Sequence, residues 1–440
     1  MTTANASRYP AEYSNSVPLL CGQSLSWLKQ QRTNALLQFS EQGFPALHEE
    51  EWRYTNVSAI EKKLFSPKVN KTTGFVDVEW LKSYQLEDAW SVVLVDGHFS
   101  VELSYLEGLP NDVLVKGMAD ALEEIPEVLE RFINQAVSVD EHSFIAFNTA
   151  WFTDGLFVHL SNKQVLERPI QVLHIATQQD VLSATRTVII LDKLTEASII
   201  ETYVGYDNAY LSSAVTEVFV GKNADLTLYK MQCESEKAYH FGGVYVKQDC
   251  HARFRHHNFA FGALLARSDI HTDLDHASEC ELNGLYLGVK RQHIDNHTRI
   301  NHTKSHGISR ELYKGVLDGR ARGVFQGRVI VAKDAQKTDS QMNNRNLLLS
   351  NEAEADSKPQ LEIYADDVKC GHGVTVGQLD EKSIFYLQSR CVDEETARNI
   401  LTFAFANEMV DKVRIKVLHE MILDQALLRF PQEGVNKEWL

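Results

Sequence analysis

The chain has 440 residues, of which 44% are hydrophobic and 24% charged, so it can bury a sizeable core in two or three units. Its net charge of −16 makes nucleic-acid binding a poor expectation, since an acidic surface repels phosphate backbones. No stretch approaches the roughly 18 apolar residues of a membrane helix, and the first 20 residues lack a signal-peptide pattern, so a cytoplasmic location is expected.

The first third of the chain is predicted to be a mixed, mainly helical region over residues 1–145. Residues 22–43 have a helical apolar pattern, with Ser24 as the N-cap and Gly43 at the end. Residues 110–140 contain a second helical pattern. The acidic and aromatic segment between them, residues 49–56, is too polar for a core element and too aromatic for a plain loop.

From about residue 146 to residue 388, short strand-like runs replace the helical pattern. They are rich in Val, Ile, Phe and Tyr, and many alternate apolar and polar residues. The linkers between them are too short for crossover helices. The runs are residues 156–160, 170–175, 187–191, 198–203, 215–220, 226–231, 244–246, 252–261, 285–289 and 324–331.

Small residues at turns suggest a repeat. Ala197, Ala224, Cys250 and Ser278 follow one another at steps of 27, 26 and 28 residues, and Ala321 lies a further 43 on, which implies an insertion. A near-constant step filled with short strands is typical of a coiled solenoid with small residues at tight corners. A β-sandwich or jelly roll also gives short strands, so the pattern alone leaves both folds open.

Helical periodicity returns in residues 389–440, a predicted C-terminal helical domain. Asp393 is a suitable N-cap, and a second amphipathic helix follows. The pair would either cover the end of the solenoid or present a face to a partner protein. The predicted apolar face of the first helix is Ala397, Ile400, Leu401, Ala404 and Phe405.

Several catalytic signatures are missing from the sequence. It contains no phosphate-binding loop, no G-x-G-x-x-G after a strand, no G-x-S-x-G and no H-E-x-x-H. This argues against nucleotidases, dehydrogenases, serine hydrolases and zinc proteases. The six cysteines include no C-x-x-C pair, which indicates a reduced protein without disulfides.

Ten of the 17 histidines lie between His240 and His306. His293, His297, His302 and His306 recur at steps of 4, 5 and 4. On a helix, His293 and His297 would share a face and could chelate a metal. Surface histidines without a metal explain the same pattern, because no acidic residue completes a standard ligand motif.

Cys370-Gly371-His372 is the most specific local feature. If this segment is a strand, Cys370 and His372 point to one side. A thiolate beside an imidazole suits iron or zinc, but two donors cannot complete a four-coordinate site. The other ligands would come from elsewhere, including another chain. A buried cysteine next to a hydrogen-bonded histidine is the alternative interpretation.

Several longer segments are more specific than any short motif. They are EWRYT at 51–55, LYKGVL at 312–317, GVFQGR at 323–328, NLLLS at 346–350, PQLEI at 359–363, ADDVKCGHG at 365–373, FYLQSR at 385–390 and the helix at 397–409. Through these segments the chain resembles the SufB/SufD family of SUF iron–sulfur cluster assembly proteins, and ADDVKCGHG resembles its SufD branch. The resemblance spans nearly the whole chain and is densest after residue 300.

The resemblance implies a right-handed parallel β-helix and a non-catalytic scaffold in a complex with SufB and the ATPase SufC. SufB would pair through the β-helix, where His372 is the implied ligand of iron or a nascent iron–sulfur cluster and Cys370 is a second candidate. No cofactor is expected in the isolated chain, and sulfur would come from a cysteine desulfurase through a sulfur carrier. A homodimer is the alternative assembly where SufB is absent. The candidate residues for binding SufC are Arg390, Ala397, Leu401, Phe405 and Glu408.

One departure and two alternatives accompany this interpretation. The family usually has glycine where this chain has Cys391, which leaves the backbone geometry there in question. A β-helix polysaccharide lyase or hydrolase would need paired carboxylates, for which Asp366 and Asp367 are the only tempting pair. A stand-alone metal-binding protein using the histidines is the second alternative.

Overall fold

A computed structural model describes residues 8–68, 76–140 and 142–429. Its main body consists of short strands joined by connections of four to nine residues after residue 153, too short for helices. The strands are β1 (Trp90–Val95), β2 (His98–Tyr105), β3 (Val113–Gly117), β4 (Asp154–Leu160), β5 (Ile170–Ala176), β6 (Leu182–Leu191), β7 (Glu196–Gly205), β8 (Leu211–Val220), β9 (Asp225–Gln232), β10 (Tyr239–Gln248), β11 (Arg253–Ala260), β12 (Leu265–Leu274), β13 (Glu279–Gly288), β14 (His293–His302), β15 (Ile308–Leu317), β16 (Arg322–Val331), β17 (Asp339–Leu348), β18 (Glu354–Ile363) and β19 (Lys369–Gly377).

The strands form two facing sheets that coil into a parallel β-helix. One sheet has the order β19-β17-β15-β13-β11-β9-β7-β5-β1-β2, and the other has β18-β16-β14-β12-β10-β8-β6-β4-β3. Pairing is parallel except between β1 and β2 and between β3 and β4. The predicted solenoid is therefore confirmed, and the sandwich alternative is wrong.

The repeat is regular along the whole β-helix. The successive partners of Ala197 are Leu226, Phe254, Cys280, Ser309, Ser340 and Cys370, so one rung of two strands takes 26 to 31 residues. Alternate side chains of both sheets point inward and form one continuous apolar core.

Small buried residues occupy one corner of most rungs, but the predicted set was partly wrong. Ala224 and Ser278 are equivalent corner residues, and the residue between them is Ala252, not Cys250. Ala197 is the second residue of β7 and is therefore not a corner residue. Ala321 precedes β16 in the other sheet, so the inferred insertion does not exist.

Helices flank the β-helix on both sides. The N-terminal helices are α1 (Arg8–Ser16), α2 (Ser26–Gln42), α3 (Ser58–Lys62), α4 (Val78–Lys82), α5 (Met118–Glu124), α6 (Pro126–Glu130) and α7 (Ser143–Trp151), and the C-terminal ones are α8 (Glu381–Gln388), α9 (Glu394–Val410) and α10 (Lys416–Leu427). Short 3₁₀ turns lie at Val17–Leu19 and Glu50–Trp52.

The N-terminal region departs from the prediction in three ways. It contributes strands β1 to β3 to the two sheets, so it is less helical than expected. Helix α7 continues to Trp151, beyond the predicted change of pattern at residue 146, and packs on β6 and β8. Helix α2 ends at Gly43 as predicted, but its N-cap is Leu25, which makes no side-chain cap, rather than Ser24.

The C-terminal helices lie along a side of the β-helix. Residues of α9 and α10 form one buried cluster with outward side chains of the ten-stranded sheet, including Ile200, Phe259 and Leu285. The alternative that these helices cover the end of the solenoid is therefore wrong. Asp393 caps α9 as predicted, accepting a hydrogen bond from the Thr396 N–H at 2.9 Å.

Candidate functional site

The last rung, formed by β18 and β19, leaves the end of the β-helix open. Each strand is the terminal strand of its sheet within the described residues. The side chains of β18 are at most half-buried along its length, and Val374 and Val376 of β19 are 39% and 48% exposed. An edge with free backbone groups and exposed apolar side chains is a template for pairing with another chain.

Cys370 and His372 lie on β19, so the predicted strand is confirmed there. They pair with Ser340 and Met342 of β17, both buried in the interior, and so point toward the axis of the β-helix. His372 is exposed, and Cys370 is half-buried. Burial raises the pKa of the Cys370 thiol, so a nearby cation would be needed to favour its thiolate.

An open cavity of about 340 Å³ surrounds this pair. Its polar walls offer hydroxyl, amide and thioether groups beside the thiol and the imidazole, an environment that suits iron or another borderline metal with added ligands. The lining residues are Ser340, Gln341, Met342, Asn343, Lys369, Cys370, Gly371 and His372.

Sequence reasoning missed the interior residues beneath His372. Met342 and then Glu311 precede it in the same inward column, one and two rungs away. Glu311 is fully buried, and within the described chain neither carboxyl oxygen has a partner in hydrogen-bond geometry. Burial raises the pKa of Glu311 to about 8, although the nearby Thr298 hydroxyl offsets part of the rise. The repeat length was the available signal, because it places both residues in register with His372.

Helix α9 is tied to the β-helix by Lys314 of β15. The Lys314 ammonium donates to the Phe405 carbonyl oxygen at 2.9 Å, pairs with Glu408 and lies 4.4 Å from the centre of the Phe405 ring. The SufC candidates Phe405 and Glu408 thus contact the chain itself. Ala397 is fully buried and Leu401 is half-buried.

The predicted apolar face of α9 was only partly right: Ala397 is buried and Phe405 packs against the cluster on the sheet, whereas Ile400, Leu401 and Ala404 do not belong to it. The buried face runs through Ala397, Phe403, Ala406 and Val410, and Ala404 is exposed. Apolar residues surround most of this helix, so its periodicity did not determine which side meets the sheet.

Helix α8 presents an exposed aromatic surface. Phe385 is 71% exposed and Tyr386 is also exposed. The Arg390 guanidinium lies 5.1 Å from the centre of the Tyr386 ring and donates to its hydroxyl at 3.0 Å. Arg390 is therefore a SufC candidate on an accessible surface, and Glu408 of α9 is also exposed although it pairs with Lys314.

Comparison with known proteins agrees with this architecture. Residues 174–405 match the family model described as "SUF system FeS cluster assembly, SufBD core domain", which covers more than half of the chain. The chain belongs to the SufBD family. Residues 3–172 match the SufBD protein N-terminal region.

Individual SufBD proteins match over most of their length. A SufBD family protein of Synechocystis sp. is 30% identical over 85% of this chain and 85% of the relative. The iron–sulfur cluster assembly protein SufD of Escherichia coli is 30% identical over 90% of this chain and 92% of the relative. SufD of Bacillus subtilis is 24% identical over 91% of this chain and 93% of the relative. The SufD-like character inferred from the sequence is confirmed.

The EWRYT segment of this SufBD chain contacts the outer face of β12 and β14. Trp52 is buried beneath the Arg267 guanidinium, which lies 3.7 Å from the ring centre and donates to the Glu51 carbonyl oxygen at 2.8 Å. The Thr55 hydroxyl donates to Asp295 at 2.6 Å. Burial alone would raise the pKa of Asp269, but the adjacent Arg267 holds it well below its usual range.

The histidine cluster is divided among different environments. His293 and His297 lie on strand β14, so the helical interpretation is wrong; the His293 ring lies 2.9 Å from the Thr55 hydroxyl, and His297 pairs with Asp295. His302 points inward and bonds Ser309, whereas His306 lies on an exposed turn. Among the described residues, no group of three or more His, Cys, Asp or Glu side chains is placed to hold a metal ion.

The remaining sequence observations have local explanations. Cys391 is exposed and has φ 66°, the left-handed conformation that favours the usual glycine of the family. Asp366 and Asp367 lie in the turn before β19, and Asp367 pairs with Lys337, which gives them no sheet position as a catalytic pair. Within the described chain, no helix combines the length and apolar character needed to cross a membrane.

Proposed function

We propose that this SufBD chain is a SufD-type scaffold that pairs with a SufB-type subunit and helps to assemble and transfer iron–sulfur clusters. The observation that carries the proposal is the open last rung, where inward-pointing Cys370 and His372 meet an edge with exposed apolar side chains. A second β-helix docking there would extend the sheets and enclose both donors.

His372 supplies the primary metal-binding group of this interface. Its exposed imidazole can ligate iron directly when neutral, whereas Cys370 must first lose a proton that burial retains. Two donors leave the coordination incomplete, so the SufB-type partner provides the remaining ligands. Iron and sulfide are the cargo, with the sulfur delivered by a cysteine desulfurase and its carrier.

The C-terminal helices dock a SufC-type ATPase in this proposal. Phe385, Tyr386 and Arg390 form the accessible surface, while Lys314 couples α9 to β15, two rungs before the open end. Displacement of the helices by the ATPase would therefore act on the strands leading to the interface. The chain itself acts as a scaffold and hydrolyses no ATP, in keeping with its lack of a phosphate-binding loop.

The first test replaces His372 with Ala in the chain co-expressed with its SUF partners. We expect the complex to form at normal size but to lose most of its iron and acid-labile sulfide after anaerobic reconstitution. The measurement is metal and sulfide content per complex. His48→Ala, an exposed histidine in the N-terminal region, is the control. Normal cluster content in His372→Ala would refute the ligand role.

The second test addresses the ATPase surface. Replacing Phe385 and Tyr386 together with Ser removes the exposed aromatic contacts and should weaken ATPase binding by about tenfold or more, because buried aromatic anchors dominate interfaces. Binding of the purified ATPase is measured by calorimetry. Leu37→Ser, an exposed apolar residue on α2, should leave the affinity unchanged. Equal affinities of all variants would place the ATPase elsewhere.

A further inference from the structure

Three histidines stand on successive rungs at one corner of the β-helix. His251, His276 and His306 lie in the turns that follow β10, β12 and β14, and we call them the histidine ladder. The turns are hydrogen-bonded to one another: the His251 N–H donates to the His276 carbonyl oxygen at 2.9 Å. His251 and His306 are exposed and His276 is half-buried, so solvent reaches all three rings.

The spacing of the rings is close to that of a chelating pair. The ring centres of His251 and His276 are 5.7 Å apart, and those of His276 and His306 are 5.6 Å apart. Two imidazoles bound to one tetrahedral ion at 2.0–2.1 Å have ring centres roughly 5 to 5.5 Å apart. The ring planes lie at 82° and 81° to each other in the two pairs, so a side-chain rotation in either pair is needed to direct two nitrogens at one ion.

The central ring is already oriented for such a role. His276 Nδ1 lies 3.1 Å from Ser305 Oγ, within hydrogen-bond distance, so Nε2 is the nitrogen left for a ligand. Metal-binding histidines commonly have their second nitrogen held in this way. Because one nitrogen of His276 serves both pairs, the ladder can hold one ion at a time.

The local charge also favours a cation. Asp249 and Asp275 precede the first two turns, and each carboxylate accepts from the backbone N–H of the next residue, at 2.7 and 2.6 Å. Lys304 is the single basic side chain in the three turns. Within the three turns two carboxylates therefore outnumber one ammonium, while Lys222 and Lys337 lie in the turns hydrogen-bonded to either end of the ladder. No third protein donor of the described chain converges with a pair.

We propose that the histidine ladder binds one divalent transition-metal ion, of the class that prefers imidazole, through His276 and either His251 or His306. Water completes the coordination sphere, as in sites with few protein ligands. The site is separate from the donors of the last rung and does not depend on the proposed SUF function. Because nitrogen ligands follow the Irving–Williams order, Cu²⁺ binds more tightly than Ni²⁺ or Zn²⁺, and Fe²⁺ binds more weakly.

The test is Zn²⁺ titration of the full chain by calorimetry, in a Cys370→Ala, His372→Ala background that removes the donors of the last rung. The parent should bind one ion. His276→Asn should abolish binding, whereas His251→Asn or His306→Asn alone leaves one of two equivalent pairs and halves the affinity. The double variant His251→Asn, His306→Asn should behave like His276→Asn.

His48→Asn, remote from the ladder in sequence, should match the parent, and circular dichroism checks that each variant is folded. Ser305→Ala should weaken binding by about tenfold, since it frees the oriented ring. The proposal would be overturned if His276→Asn still bound Zn²⁺ or if the parent bound none. The three histidines would then be surface residues without a metal-binding role.

Discussion

Polar residues within the β-helix interior are the main surprise among individual residues. Glu201, Lys230 and Glu311 occupy inward positions that strand alternation assigns to apolar side chains. Glu201 accepts a hydrogen bond from the Thr216 hydroxyl at 2.9 Å, whereas Glu311 has no such partner within the described chain. An unpaired buried carboxyl costs stability when charged, so Glu311 is retained in its protonated form near neutral pH.

This state of Glu311 predicts a pH-dependent effect of Glu311→Gln. The ordinary pKa of glutamate is about 4.5 and the folded value is about 8, so between these values the unfolded chain releases a proton that the folded chain keeps. Stability therefore falls as pH rises through this window, by up to about 1.4 kcal/mol per pH unit from this group. The glutamine variant lacks the penalty, and its stability relative to the parent should grow by a few kcal/mol between pH 5 and pH 8.

Urea unfolding at pH 5, 6.5 and 8 measures this difference. Glu395→Gln, an exposed residue in the first turn of α9, serves as the matched control and should show no such trend. If the stability curves of the parent and of Glu311→Gln ran parallel across the range, the carboxyl would be ionised in the folded protein.

At the scale of elements, long-range pairings explain segments that local patterns could not. The EWRYT segment was recognisable as neither core nor loop, and its role becomes clear only because the fold brings Arg267 over Trp52. Strands β14 and β17 were missed because inward as well as outward positions are polar, which removes the alternation; examples are Asn296 and Thr298 on β14 and Asn344 and Asn346 on β17. On β14 the outward His293 and Asp295 contact Thr55 of the N-terminal region. Strands with apolar residues on both faces, such as β6 and β8, were partly recognised.

Arg267 is predicted to hold the N-terminal segment on the β-helix. Arg267→Leu would leave Asp269 and Asp295 buried without their cation, which typically costs about 3–5 kcal/mol. Arg53→Leu in the same segment removes an exposed arginine and should change stability by less than about 0.5 kcal/mol. Urea unfolding free energies of the two variants provide the comparison. If both variants lost the same unfolding free energy, the buried ion pairs of Arg267 would stabilise the protein no more than an exposed arginine does.

For the whole molecule, the sequence predicted the repeat length of the β-helix. It did not predict where the C-terminal helices pack or which residues lie beneath the last rung. Small corner residues recur because a tight turn must stack on the turn below, and this periodicity predicted the solenoid. The position of α9 and α10 depends on outward apolar residues scattered over several rungs, which no local window contains. The candidate site was predicted through Cys370 and His372, yet Met342 in its wall and Glu311 one rung deeper could be found only from the register between rungs.

The last prediction concerns the open end of the β-helix, formed by β18 and β19. Val374→Lys or Val376→Lys places an ammonium on the exposed inward face of the last rung, where pairing with a SufB-type β-helix would have to bury it. We expect each variant to fold normally, because these side chains are already 39% and 48% exposed, but to lose co-purification with the partner subunit. Val101→Lys makes the same change on β2, at the opposite end of the ten-stranded sheet, where the side chain is 68% exposed. Co-expression followed by size-exclusion chromatography distinguishes the two ends. If Val101→Lys dissociated the pair while Val376→Lys preserved it, the partner would bind the N-terminal end and the donors of the last rung would remain open to solvent.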